Sequence, residues 1–396
     1  MKRRSLIKGL GGASLGATFA IPTRFALAQS NAPFKIGFIE PMTGPFATTG
    51  RQQLAGAKLY LDQIGNAVAG RRIELLLRDD ASSPDLTRRM ASELVVNEKV
   101  GALAGFGLTP LAFAAAGVAT QAKIPAVCTA AGTSSITESS PFMVRTSYTL
   151  PQTAMVMGQW AVKSGMKRFM SLVTDYGPGL DAEKFFNDTV TAGGGTVLGA
   201  IRVPLKDSDY APYLQKVRDA KPEALYVFLP SGPATTFMKQ FTERGLDKSG
   251  IKMIGDGGMT DDDLLQEIGD VALGMITTQN YSTAHPSAVN KKFVADFNAA
   301  NKGMRPNFMA VGAYDGMRVI CDALKATGGK GDGPALLEAM KGLSFESPRG
   351  PILIDPTTRD IVQDIYVRRV ERMDGQLYNV EFDVVKAVKD PGKKST

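Results

Sequence analysis

The chain has 396 residues, 44% of them hydrophobic, with a formal charge of +7, one histidine and two cysteines. That length and apolar content can bury a sizeable core and point to two domains. Five basic residues (Lys2, Arg3, Arg4, Lys8, Arg24) and no acid lie within residues 1–28, so removing that segment takes +7 down by five to +2, which excludes the strong field that draws nucleic acid or anionic lipid.

The N-terminus reads as a targeting segment. Arg3-Arg4-Ser5-Leu6-Ile7-Lys8 precedes an uncharged stretch from Leu10 to Ala20, and Ala26-Leu27-Ala28 supplies small residues at both positions a signal peptidase reads. The paired arginines are similar to a twin-arginine signal. Residues 1–28 are therefore expected to be removed, leaving a periplasmic chain that begins near Gln29. No later apolar run approaches the ~18–20 residues of a membrane span, so the mature part is expected to be soluble.

From there, short runs rich in Val, Ile, Leu and Phe alternate with segments of helical period, the pattern of parallel sheets covered by helices. Strands are expected at 35–39, 73–77, 102–106 and 126–129, with helices at 52–64, 84–97 and 110–121. Ser83 is placed as the N-cap of the second helix, with Pro84 at its first position. A second series follows, with strands at 169–173, 197–203, 224–229 and 253–254 and helices at 179–192, 211–220 and 233–244. Two such series imply two α/β lobes. The rhythm breaks between them and again near Thr278 to Ser282, where the chain is expected to cross between lobes, and the helix 307–326 is expected to return to the first.

An open α/β sheet binds ligands at the carboxyl ends of its strands. The loops there are small, polar and glycine-containing: Met42 to Pro45 with Thr48 to Gly50, Gly105 to Thr109, and Thr129 to Ser135. Such loops expose backbone N–H groups at helix starts and can hold a small anion or zwitterion without an arginine. They are equally consistent with ordinary turns whose hydroxyls cap helices.

Several segments carry a more specific likeness. Gly37-Phe38-Ile39-Glu40-Pro41-Met42-Thr43-Gly44-Pro45, Arg78-Asp79-Asp80, Ile124-Pro125-Ala126-Val127, Asp175-Tyr176-Gly177, Tyr314-Asp315 and Ser347-Pro348-Arg349-Gly350 follow one another in the order seen in the branched-chain amino acid binding proteins of ABC importers. The whole mature chain resembles this Leu/Ile/Val-binding family. The resemblance implies two Rossmann-like lobes joined by a three-strand hinge, the type I periplasmic binding or Venus-flytrap fold. It divides the chain into lobe 1 (34–148 with 282–358) and lobe 2 (149–281 with 359–390). It also implies a monomer that needs no cofactor or metal and presents a small amino acid or organic acid to a membrane permease. Thr109, Ala130, Gly132 and Thr133 match the family's carboxylate-holding loops. Thr49 matches a position often aromatic, and Tyr176 matches the aromatic residue of the second lobe that closes over the ligand. The family's ammonium partner is an acid in the loop after the strand 253–254. Here that loop is Gly255-Asp256-Gly257-Gly258, with Asp256 one residue from the expected place. That departure admits a carboxylate without an amine, such as an aromatic acid, or an amide.

Catalytic readings find less support. A Ser-His-Asp hydrolase would rest on His285 alone, which is expected at the surface, and no Gly-x-Ser-x-Gly elbow is present. Cys128 and Cys321 lie far apart in sequence and are expected as buried thiols, with a disulfide between them as the alternative that an oxidising compartment permits, and without a metal ligand set. Gly105-Phe106-Gly107 lacks the third glycine of a dinucleotide loop, and Gly328-Gly329-Lys330-Gly331 lacks the spacing of a P-loop. The expectation is a binder and not an enzyme.

Overall fold

The computed structural model describes residues 32–205 and 209–393, so the leader assigned to 1–28 lies outside the described residues. The first sheet contains β1 (Phe34–Glu40), β2 (Ala67–Val68), β3 (Arg71–Asp79), β4 (Ala102–Gly105), β5 (Ala126–Cys128) and β6 (Met143–Arg145), in spatial order β2-β3-β1-β4-β5-β6. Its pairings are parallel, apart from the short β2 against β3. Strands β1, β4 and β5 are near-continuous apolar runs because helices cover both faces. Those helices include α1 (Ala47–Gln63), α2 (Pro84–Val96) and α3 (Thr109–Ala122). Ser83 caps α2 by accepting from Leu86 N–H, with Pro84 in the first turn, as its sequence requires. Helix α1 starts five residues before the expected Gln52, because Thr48, Thr49 and Gly50 continue the turn begun at Ala47.

The second sheet follows α4 (Leu150–Lys163), whose entry is fixed by a capping box in which Thr149 and Gln152 satisfy each other's backbone N–H. It runs through β7 (Arg168–Thr174), α5 (Gly177–Ala192), β8 (Thr196–Val203), α6 (Ala211–Ala220), β9 (Ala224–Phe228), α7 (Ser231–Glu243), β10 (Lys252–Asp256), the single turn α8 (Leu265–Ile268) and β11 (Ile276–Gln279). Strands β8, β7, β9, β10 and β11 are parallel neighbours in that order. The break expected near Thr278 is therefore strand β11 at its start. After α9 (Ala288–Ala300), helix α10 (Phe308–Ala326) packs on α1 and sends Met317, Ile320 and Leu324 into the core of the first sheet. Helix α11 (Gly333–Met340) leads to an antiparallel group: β12 (Ser344–Ser347), β13 (Gly350–Ile354), β14 (Ile361–Met373) and β15 (Gln376–Val388). Strand β14 joins this group to β11, extending the second sheet to nine strands.

The segments that pass between the sheets meet at buried side-chain amides. Gln363 Nε2 donates to Ser147 O at 3.3 Å and to Gln152 Oε1 at 3.0 Å, while Asn280 Nδ2 donates to Gln363 Oε1 at 2.9 Å. Gln152 Nε2 also donates to the carbonyls of Ile361 and Val388. Each amide is buried with its partners, so the three segments are held in register where the lobes join. The fold is thus two α/β lobes with a three-strand hinge. Cys128 and Cys321 are free buried thiols, each packed in a different core cluster. No helix among the described residues is long and apolar enough to cross a membrane.

Candidate binding cleft

The carboxyl ends of the two sheets face each other across a cavity of ≈ 490 Å³ including its mouth. Thr49, Thr109, Ala130, Gly132, Tyr176 and Asp256 all line it. Thr133 does not reach the wall. Its Oγ1 lies 2.8 Å from Thr109 Oγ1 and backs that hydroxyl from behind.

On the first-lobe side, β4 ends at Gly105 and the chain turns sharply through Phe106, a buried residue at φ 72°, into α3. This turn delivers the N-terminus of α3 to the cavity wall at Leu108 and Thr109. Pro110 has no N–H and Leu111 N–H donates to Leu108 O, so Thr109 N–H is the first-turn donor left without a partner among the described residues, at the partly positive end of the helix beside the cavity. The loop after β5 adds Ala130, Ala131 and Gly132 beside it.

On the second-lobe side, Tyr176 precedes α5 and stacks on Phe228 at the end of β9, with ring centroids 6.2 Å apart and planes inclined by 23°. Opposite them Tyr148 meets Phe308, at the start of α10, edge-on at 5.2 Å. With Phe46, five rings line the cavity among the described residues, and no lysine or arginine among them does. Gly177 follows Tyr176 and comes so close to the first lobe that a Cβ there would sit 2.6 Å from Thr133 Oγ1.

Among the described residues Asp256 is the one acid on the wall. It is 1% exposed, Oδ1 accepts from Gly258 N–H at 3.0 Å, and Oδ2 accepts from Thr153 Oγ1 at 3.0 Å. Burial pushes its pKa up from 3.8 to about 6, against the pull of these donors and of Arg368. Both of its oxygens are thus engaged from within the second lobe.

Sequence reasoning missed Phe46, Tyr148, Phe228 and Phe308. Phe228 had a usable signal, since it ends β9 as Asp256 ends β10. The other three gave none, because their place on the wall depends on how the lobes meet. His285 also needs correction. It is half-buried, with Nδ1 2.8 Å from Glu381 Oε2 and its ring 5.2 Å from Tyr366, because the long β14–β15 hairpin covers it. It lies outside the cavity wall. Among the described residues no cluster of His, Cys, Asp and Glu could hold a metal ion.

Comparison with known proteins agrees with this geometry. A family model described as periplasmic binding protein matches residues 33–376. The Leu/Ile/Val-binding protein homolog 6 of Brucella melitensis is 42% identical over 378 residues, spanning 94% of this chain and 97% of that protein. A solute binding protein of an ABC transporter from Rhodopseudomonas palustris BisB5, solved in complex with 3,4-dihydroxybenzoic acid, is 57% identical, with a TM-score of 0.89 over 92% of this chain and 100% of that one. A second from R. palustris, in complex with 4-hydroxybenzoate, is 39% identical, with a TM-score of 0.89 over 91% of this chain and 99% of that one. With a family model along most of its length, and relatives this similar end to end, the chain belongs to the periplasmic binding protein family.

Proposed function

We propose that this protein is the extracytoplasmic solute-binding component of an ABC importer and that its solute is a small aromatic carboxylate. The observation that carries the choice of solute is the state of Asp256. Both its oxygens already accept hydrogen bonds inside the second lobe, so the carboxyl is held without a ligand cation. An α-amino acid brings an ammonium that is costly to bury without a dedicated anion. A benzoate-like ligand brings none. Its carboxylate suits the N–H groups and hydroxyls around Thr109 and Gly132, and its ring suits a wall of five aromatic side chains, with which a planar ring packs face to edge or offset. The aromatic acids in the two R. palustris complexes support the same choice.

A second reading keeps Asp256 as an ammonium partner and a branched-chain or other amino acid as the solute. It is favoured by the presence of Asp256 on the wall and by the Leu/Ile/Val-binding relative. In either case Thr49, Thr109, Ala130, Gly132 and Tyr176 form the proposed binding set, with Thr133 supporting Thr109 from behind and Asp256 a ligand partner in the second reading alone. Lobe 1 (34–148 with 282–358) and lobe 2 (149–281 with 359–390) close as a monomer that the permease recognises, after export by the twin-arginine route. The role proposed is capture without chemistry.

Thermal-shift screening of residues 29–396 separates these readings. A ligand at a hundred times its Kd stabilises by about 2.7 kcal/mol. Benzoate, 4-hydroxybenzoate and 3,4-dihydroxybenzoate are expected to raise Tm, with L-leucine, L-isoleucine and L-valine silent. The opposite pattern rejects the aromatic reading.

A further inference from the structure

Arg145, at the end of β6, is buried and is not on the cavity wall. Its Nη1 donates to Ala131 O at 2.5 Å and its Nη2 to Thr133 O at 2.5 Å, while Nε lies 2.7 Å from Asp360 Oδ1. Ser147 Oγ adds a third grip, donating to Ala131 O at 3.1 Å. The guanidinium therefore holds two carbonyls of the loop that follows β5 from behind. In a planar trans peptide the C=O and the following N–H point in opposite directions. Drawing Ala131 O inward turns Gly132 N–H outward, and drawing Thr133 O inward does the same for Ser134 N–H.

The second peptide can be checked directly. Ser134 N–H leaves the first lobe and meets Asp181 Oδ2 at 2.9 Å, on α5 of the second lobe. The same turn at Gly132, whose flanking residue Ala131 also lines the cavity, aims an N–H that has no acceptor among the described residues.

We propose that Arg145 is the positioning residue of this site: its planar fork orients Gly132 N–H toward the ligand carboxylate and Ser134 N–H toward Asp181, so that one buried cation sets both the grip on the anion and a contact that closes the lobes. This rests on the reading of the cleft as a carboxylate site, whichever carboxylate occupies it. A fork is required because two carbonyls on alternate residues must be held in one plane, which the single ammonium of lysine does not do.

The test uses residues 29–396 titrated with benzoate, its neutral isostere benzamide, and L-leucine. In the wild type, amide NMR is expected to show Gly132 N–H moving strongly downfield with benzoate and little with benzamide. In Arg145→Lys, benzoate affinity is expected to fall about tenfold or more, with benzamide affinity changed less than about threefold. A general loss of structure would lower both alike. If Arg145→Lys does not fold, the wild-type Gly132 shift decides alone. An unmoved Gly132 amide in the bound protein, or an unchanged benzoate-to-benzamide ratio in the variant, overturns the inference. If benzoate fails to bind the wild type, the choice of solute is what falls, and the Gly132 shift is then read with L-leucine.

Discussion

Replacing Asp256 with asparagine separates the two ligand chemistries and tests the electrostatics of the cleft together. The carboxyl is 1% exposed, and burial lifts its pKa from 3.8 to about 6. The folded protein thus holds this proton more tightly than the unfolded chain does. The stabilisation is complete below 3.8 and is lost as pH rises through about 6. The difference corresponds to a destabilisation on the order of 3 kcal/mol at neutral pH by the ionised form. The introduced asparagine can keep its carbonyl oxygen on Gly258 N–H and turn its amide toward Thr153 Oγ1, a hydroxyl able to accept. Allowing for poorer hydrogen bonds, Asp256→Asn is expected to gain about 1–2 kcal/mol at pH 7.5 and to raise Tm by about 2–4 °C, with little effect at pH 4. Scanning calorimetry at the two pH values measures this, and a lower Tm at pH 7.5 refutes the reasoning. Calorimetric titration supplies the second half. An aromatic carboxylate should bind the variant as well as the wild type or more tightly. An amino acid would lose its ammonium partner, at about 2–5 kcal/mol, or roughly thirtyfold to several-thousandfold in Kd.

Other expected outcomes follow from single contacts. Tyr176→Ala removes a ring stacked on Phe228 and is expected to weaken benzoate binding by about 10–100-fold, by titration, with the ligand-free Tm nearly unchanged. Gly177→Ala places a methyl 2.6 Å from Thr133 Oγ1 only when the lobes are shut. It is expected to reduce affinity about tenfold and to leave a larger ligand-bound radius of gyration in solution scattering, while an unchanged radius and Kd would mean the lobes do not meet there. Arg349→Met strands Asp315, whose Oδ2 lies 2.8 Å from Arg349 Nη2 in the first-lobe core, and is expected to cost about 3–5 kcal/mol. Denaturant unfolding should show that loss at pH 7, with partial recovery when Asp315→Asn is added.

The elements that local pattern governs were legible in the sequence. Strands β1, β4, β5, β7 and β9 are short apolar runs buried on both faces, and α2 announces its start with Ser83 and Pro84. The cradle loops were legible for the same reason, since the position of Thr109 and Gly132 follows from where β4 and β5 end. The hairpin of β14 and β15 was not. Its outer strand alternates irregularly and carries two register shifts, so it shows neither a clean two-residue period nor a buried run. Arg145 was invisible because nothing local distinguishes a buried arginine from a surface one. Its meaning lies in Asp360, Ala131 and Thr133, which are brought to it by the fold. The aromatic wall shares this character, with Phe46, Tyr148, Phe228 and Phe308 coming from four separate segments that converge only where the lobes face each other.

A crystal structure of the mature protein grown with 4-hydroxybenzoate puts the cleft chemistry to its plainest trial. The carboxylate should lie within hydrogen-bonding distance of Gly132 N–H and Thr109 Oγ1, with the ring against Tyr176 and Phe228. A ligand seated outside the cleft, or one whose carboxylate turns away from the α3 N-terminus toward Asp256, would contradict it.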